Sequence, residues 1–171
     1  MQLHTPEDLF LHGLESIYDI EQQLTEELHT MAHASSSPQL RSAFEQHLSE
    51  TKDHVARALE LFKRLDRQPA AETNRVLQQM RQEIAELIQN TEPSPIRDAA
   101  LVIAGNQVEH LEIACYGSLV ALARVLGNED EAYILEQVLD EEKKAAAKLT
   151  EVGECCVNIQ AVHRSAAAST R

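Results

Sequence analysis

Two stretches of this chain copy one another at an offset of 91 residues. Glu21 and Glu50 lie 29 residues apart, and so do Glu112 and Glu141. The surroundings agree: LSETK at 48–52 matches LDEEK at 139–143, and Glu60 stands opposite Glu151. A repeat of this kind predicts two similar units packed about a pseudo-twofold axis.

Each unit reads as a helical hairpin. Thr5 is an N-cap residue, Pro6 suits the first helical position, and Glu7 and Asp8 suit the positive end of the dipole. The stripe that follows is Phe10, Leu14, Ile17, Glu21, Leu24, Leu28 and Met31, at 3/4 spacing with a glutamate in the middle. SSSP at 35–38 ends this helix, and Ser37 with Pro38 starts a second one reaching about Asp66. Its apolar face is broad, with Phe44, Leu48, Val55, Leu59, Phe62 and Leu65. A neighbouring strip carries His47, Glu50, His54, Ala58 and Leu61. After a loop at 66–74, a short amphipathic helix spans 75–89, and TEPSP at 91–95 breaks the chain again. A third long helix runs over 95–126 and stops at Gly127, a plausible C-terminal glycine. The fourth starts near 129 and passes Val152, and SAAASTR reads as a frayed end. The expectation is an all-α, ferritin-like four-helix bundle with one long crossover carrying a fifth short helix. The bundle is assigned to 1–155, and the C-terminal helix end and frayed tail to 156–171.

Composition narrows the function. With five Gly, five Pro and no Trp, the chain suits an all-helical protein. A net charge of −13 disfavours nucleic acid as a partner. No apolar run is long enough to span a membrane, and MQLHTPEDLF is no signal peptide. Three cysteines, two of them adjacent, make a poor disulfide framework and fit a reducing cytoplasm.

VEHLEIACY at 108–116 puts Glu109 and Glu112 one turn apart in a core-facing stripe with Val102, Tyr116, Leu119, Ala123 and Leu126. Carboxylates there are costly to bury unless something pairs with them. A single glutamate on a helix is usually a solvated surface residue. The repeat changes that balance, because it brings Glu21, Glu50, Glu112 and Glu141 to one level of the bundle, with Glu109 as an addition. Several neighbouring carboxylates do not all stay ionised unaided. Two divalent iron or manganese ions remove the conflict, with a single metal as the alternative. Three residues beyond Glu50 and Glu141 stand Asp53, which can ligate, and Lys144, which as a cation cannot. His54 or His47 is the candidate nitrogen ligand, and Glu142 competes with Glu141. Tyr18, a turn before Glu21, and Tyr116, a turn after Glu112, are candidate hydrogen-bond donors or redox-active neighbours, with ordinary core tyrosine as the plainer reading. Cys115 reads as a small buried residue and His110 as exposed.

HLSET at 47–51, IRDAAL at 96–101, VEHLEIACYGSL at 108–119 and LDEEK at 139–143 together resemble the YciF-type bacterial stress-protein family, a branch of the ferritin-like superfamily. The resemblance covers about residues 3–155. It implies a ferritin-like bundle, a homodimer and a link to bacterial stress. Rubrerythrins are similar in placing a Glu-x-x-Glu pair on the third bundle helix. That likeness implies Glu21, Glu50, Glu109, Glu112 and Glu141 as ligands. The departures are Asp53 in place of a histidine, Lys144 in place of an acid, and the absence of a Cys-x-x-Cys pair. The expected function is a stress-related di-metal protein reacting with hydrogen peroxide or oxygen as peroxidase, catalase-like enzyme or ferroxidase. The alternative is a non-enzymatic metal-binding or structural stress protein.

Overall fold

Hydroxyl–proline pairs set where three of the four long helices begin. The computed structural model describes residues 3–168. In it Thr5 caps α1 (Pro6–Ala34), accepting from the Asp8 backbone N–H, while the Asp8 side chain accepts from the Thr5 N–H. Ser37 caps α2 (Pro38–Arg64) by accepting from the Leu40 N–H, and Ser94 caps α4 (Pro95–Val125) by accepting from the Arg97 N–H. Each proline sits where its missing N–H costs nothing. Asn74 caps the crossover helix α3 (Arg75–Asn90). Gly127, at φ 77°, turns the chain into α5 (Glu129–Val152). That backbone conformation is one glycine adopts readily.

The helices α1 and α2 form one hairpin and α4 and α5 the other, packed as a four-helix bundle. The crossover helix α3 lies against α4 and α1, where Arg81 reaches Glu27 at 2.9 Å. The fourth long helix does not end at Val152. It continues through a π-helical turn, Gly153–Val157, into α6 (Asn158–Ala168), which packs against α4. The expected fraying at 165–171 falls partly on residues 169–171, which lie outside the described residues.

The IRDAAL segment has a structural use. Asp98, buried at the start of α4, accepts from the Ser36 and Ser37 backbone N–H groups at 2.8 and 2.9 Å. Arg97 beside it donates to the Ala34 carbonyl at 2.7 Å. Together they satisfy backbone groups of the α1–α2 turn and tie it to the start of α4.

The stripe expected for α1 is buried throughout, glutamate included. The face of α2 differs from expectation. Its core residues run through Leu40, Phe44, His47, Thr51, His54, Ala58, Leu61 and Phe62, so the strip carrying the histidines points inward. Leu59 is exposed, and Leu48, Val55 and Leu65 are only half-buried. Apolar residues on both flanks made the rotation of α2 ambiguous from its own pattern, and packing against three other helices resolved it.

Two apolar clusters fill the bundle, one towards each end. The first combines Leu24, Leu28, Met31, Leu40, Phe44, Leu101 and Leu149. The second combines Phe10, Leu14, Phe62, Leu119, Leu135 and Val138. A layer of acids and histidines lies between them.

Candidate metal centre

Every long helix contributes to this layer. Glu21 comes from α1, His47 and His54 from α2, Glu109 and Glu112 from α4, and Glu142 from α5. None of the six is more than 5% exposed. Their donor atoms converge in two groups, each within 4.8 Å: His47, Glu109, Glu112 and Glu142 in one, Glu21, His54 and Glu142 in the other. Glu142 belongs to both. In the first group His47 Nε2 lies 3.2 Å from Glu109 and 3.5 Å from Glu142. In the second, His54 Nδ1 lies 2.8 Å from Glu142 and 3.6 Å from Glu21.

Protein hydrogen bonds do not satisfy these groups. Glu21 Oε2, Glu109 Oε2, both oxygens of Glu112 and of Glu142, both nitrogens of His47 and Nδ1 of His54 have no hydrogen-bond partner. Buried polar atoms are ordinarily paired, and an unpaired one costs about 1–3 kcal/mol. With His47 Nδ1 turned towards Glu50, eight of these atoms face the layer, a donor set that could hold a metal ion.

The electrostatics agree. Burial raises Glu112 well above the usual carboxylate range, and Glu142, Glu21 and Glu109 push it further. Burial carries Glu109 up to about 8 despite the opposing pull of His47. Glu21 is likewise raised by burial, against His54. For His54 burial favours the neutral ring, yet Glu142 and Glu21 outweigh it and lift the pKa to about 11. At His47 burial again acts downward, and Glu50, Glu109 and Glu142 lift it to about 9. A divalent cation relieves this conflict by replacing protons among the acids. The donor set of four carboxylates and two imidazoles fits iron or manganese. It is also the donor inventory of carboxylate-bridged bundles, which take two single Glu and two Glu-x-x-His pairs.

Here that inventory is redistributed. The inward register on α2 is Thr51-x-x-His54, with threonine where the motif has Glu. On α5 it is Glu142-x-x-Ala145, with alanine where the motif has His. Glu109 and His47 restore the count. Counting from Glu50 and Glu141 gave Asp53 and Lys144 as the third residues on, one position out of the inward register. A one-residue step turns a helix by about 100°.

The remaining sequence candidates fall outside the converging groups. Glu50 and Glu141 are half-exposed at the rim, and Asp53 is exposed. Glu141 is paired bidentately with Arg57 at 2.9 and 3.1 Å. Burial acts to raise Glu141, but Arg57 and His54 outweigh it and hold the group below the usual carboxylate range. The structure therefore places Glu142 rather than Glu141 in the layer, and His47 with His54. Tyr116 is buried and donates to Glu21 Oε1 at 2.5 Å. Tyr18 is turned away: its ring packs edge-on against Phe62 and its hydroxyl accepts from Gln22. Cys115 is half-buried and His110 exposed.

A cavity of about 410 Å³ between α2 and α5 connects the layer with solvent. His47 and Glu109 line its deep side, Phe44 and Leu149 one wall, and Glu50, Asp53, Glu141 and Lys144 its mouth. Among the described residues no helix is long and apolar enough to cross a membrane.

Comparison with known proteins gives consistent results. Residues 5–162 match the family model described as "Domain of unknown function (DUF892)". Protein YciF of Escherichia coli K12 is 37% identical over 173 residues, covering 96% of this chain and all of the relative. The crystal structure of the E. coli stress protein YciF superposes with a TM-score of 0.87, covering 91% of this chain and 99% of that one. YcfI from Rhodopseudomonas palustris superposes with a TM-score of 0.85 at 36% identity, covering 87% of this chain and 95% of that one.

Proposed function

The chain belongs to the DUF892 family, and from its buried donor layer we propose that it is a ferritin-like protein holding two divalent iron or manganese ions. The observation that carries this reading is Glu142, fully buried and common to both converging groups. A carboxylate in that position whose oxygens make no protein hydrogen bond would help to hold both ions. His47, Glu109 and Glu112 would complete one ion's ligands, and Glu21 and His54 the other's.

When bound, the ions supply redox chemistry towards hydrogen peroxide or oxygen. The chain's own part is binding, orientation and exclusion of water. The two apolar clusters close the layer at both ends, which leaves the α2–α5 cavity as approach for a small oxidant. Tyr116 holds Glu21 by one oxygen and leaves the other free for a cation. The likeness to the E. coli stress protein supports a role in the bacterial stress response, and the three free cysteines suit a reducing cytoplasm. A hollow of about 670 Å³ between α1 and α4, walled by Leu9, Gly13, Leu122 and Val125, supports a homodimer formed on that face. Size-exclusion chromatography tests it: a monomer at micromolar concentration overturns the dimer.

The deciding experiment is metal analysis of untagged protein, before and after reconstitution, followed by ferrous-ion oxidation and peroxide consumption. About two equivalents of metal and turnover above free metal are expected. Failure to retain iron or manganese after reconstitution overturns the site. Two bound ions without turnover favour a second reading, in which the metal serves only to stabilise the bundle by binding the folded state. The unpaired buried carboxylates support that reading as a cost the metal removes.

A further inference from the structure

The two rim glutamates that the repeat equates have a shared geometry. Each faces the outward nitrogen of a buried histidine. His54 turns Nδ1 to the layer and places Nε2 at 2.9 Å from Glu141 Oε2. Glu141 is itself fixed by the Arg57 fork. His47 turns Nε2 to the layer and places Nδ1 at 3.5 Å from Glu50 Oε2. Glu50 in turn accepts from Gln46 at 3.0 Å. The two rings thus present opposite nitrogens to the same layer, and each is flanked on its outer side by a half-exposed carboxylate.

We propose that Glu50 and Glu141 are positioning residues that set the tautomer and ring orientation of His47 and His54, so that a metal meets His54 through Nδ1 and His47 through Nε2. This inference rests on the metal-site reading above. Its physical basis is general: a carboxylate accepting from one ring N–H leaves the other nitrogen bare and basic, facing the ion. The two anchors differ in strength. Glu141 sits at hydrogen-bond distance and is braced by a charged bidentate partner, whereas Glu50 is at ion-pair distance with a neutral brace. Glu141 therefore holds its ring more firmly. The repeat acquires a second meaning: Glu50 and Glu141 are equivalent as outer anchors, while the inward positions one residue later have diverged to Thr51 and Glu142.

The test uses the full chain loaded with Zn(II) for NMR and titrated with Co(II). Long-range ¹H–¹⁵N spectra of the Zn(II) form should show His54 ligated by Nδ1 and His47 by Nε2. The reverse assignment at either ring overturns the proposal for that anchor. Glu141→Ala should weaken Co(II) binding at the Glu21–His54–Glu142 group by about 10–100-fold, and Glu50→Ala should weaken the other group by roughly 3–10-fold. Glu141→Gln keeps an acceptor oxygen for His54 Nε2–H and should recover most of the loss. Wild-type protein that binds no Co(II) defeats the metal-site reading itself. Wild-type protein that binds two equivalents, with both alanine variants unchanged in affinity and tautomer, defeats only the anchors. Because both glutamates are half-exposed, circular dichroism of the variants should match wild type.

Discussion

The two hairpins share a frame and differ in cargo. Glu21 and Glu112 occupy equivalent buried positions, and Glu50 and Glu141 equivalent half-exposed ones. Beyond that the copies part. The α1–α2 hairpin supplies one carboxylate and both imidazoles, and the α4–α5 hairpin supplies three carboxylates and no imidazole. At the inward position α2 has Thr51, whose hydroxyl donates to the His47 carbonyl of its own helix, while α5 has Glu142, which is central and in ion-pair contact with both histidines. The backbone repeat fixed the level of the layer, and single substitutions within it decided which hairpin brings charge and which brings nitrogen. The acid-rich half is therefore costly without a cation.

That difference can be tested where it is largest. Glu142→Ala removes the one carboxylate common to both groups, so retention of both metals should be lost, read by metal analysis after reconstitution and desalting. Retention of two equivalents would refute that shared role.

The second effect is on pH. Glu109 at about 8 lies above its ordinary 4.5, and His47 and His54 at about 9 and 11 lie above their ordinary 6.5. A buried acid raised in this way keeps its proton only in the folded state between those two values. The raised histidines likewise contribute stability fully present below about 6.5 and lost as pH rises towards the folded values. Both terms have one sign, so the metal-free protein should lose stability as pH rises from about 5 to 9. The metal-loaded protein should not, because its ligands are already deprotonated. Thermal melts across that range, with and without Mn(II), give the comparison.

Neutralising the acid-rich half should help the metal-free protein. Glu112→Gln removes a fully buried carboxylate with no partner on either oxygen. It should raise metal-free stability by about 1–3 kcal/mol, measured by urea unfolding, and abolish much of the stabilisation by metal. On the same hairpin, Tyr116→Phe deprives Glu21 of the opposite hairpin of its hydroxyl donor and should cost roughly 1–2 kcal/mol. The smallest effect belongs to Thr51→Val. Its hydroxyl bonds only to its own helix, so stability should shift by less than about 1 kcal/mol, with metal affinity unchanged.

Much of the fold was legible in the residues themselves. Thr5–Pro6, Ser37–Pro38 and Ser94–Pro95 mark helix starts because local hydrogen bonding and a preset φ act within a few residues. The α1 stripe with Glu21 at its centre, and Glu109 and Glu112 amid apolar neighbours on α4, mark an inward face because one side of each helix is unambiguous. On α2 and α5 the pattern was ambiguous by one residue. Leu59 and Val55 advertised a face that packing left exposed at Leu59 and only half-buried at Val55, and adjacent Glu141 and Glu142 offered two choices. His47 and Glu142 carried a signal, since each stands on a strip with His54 or Leu139 and Ala146, but that signal competed with the repeat register of Glu50 and Glu141.

The sequence by itself determined the four long helices, their pairing into hairpins and the height at which the acids meet, because helix length, caps and the 91-residue repeat are properties of the chain alone. Only the tertiary structure decided how far α2 and α5 are turned about their axes. That rotation depends on filling space against three neighbours at once, and about 100° of it separates the buried carboxylate of Glu142 from the half-exposed one of Glu141.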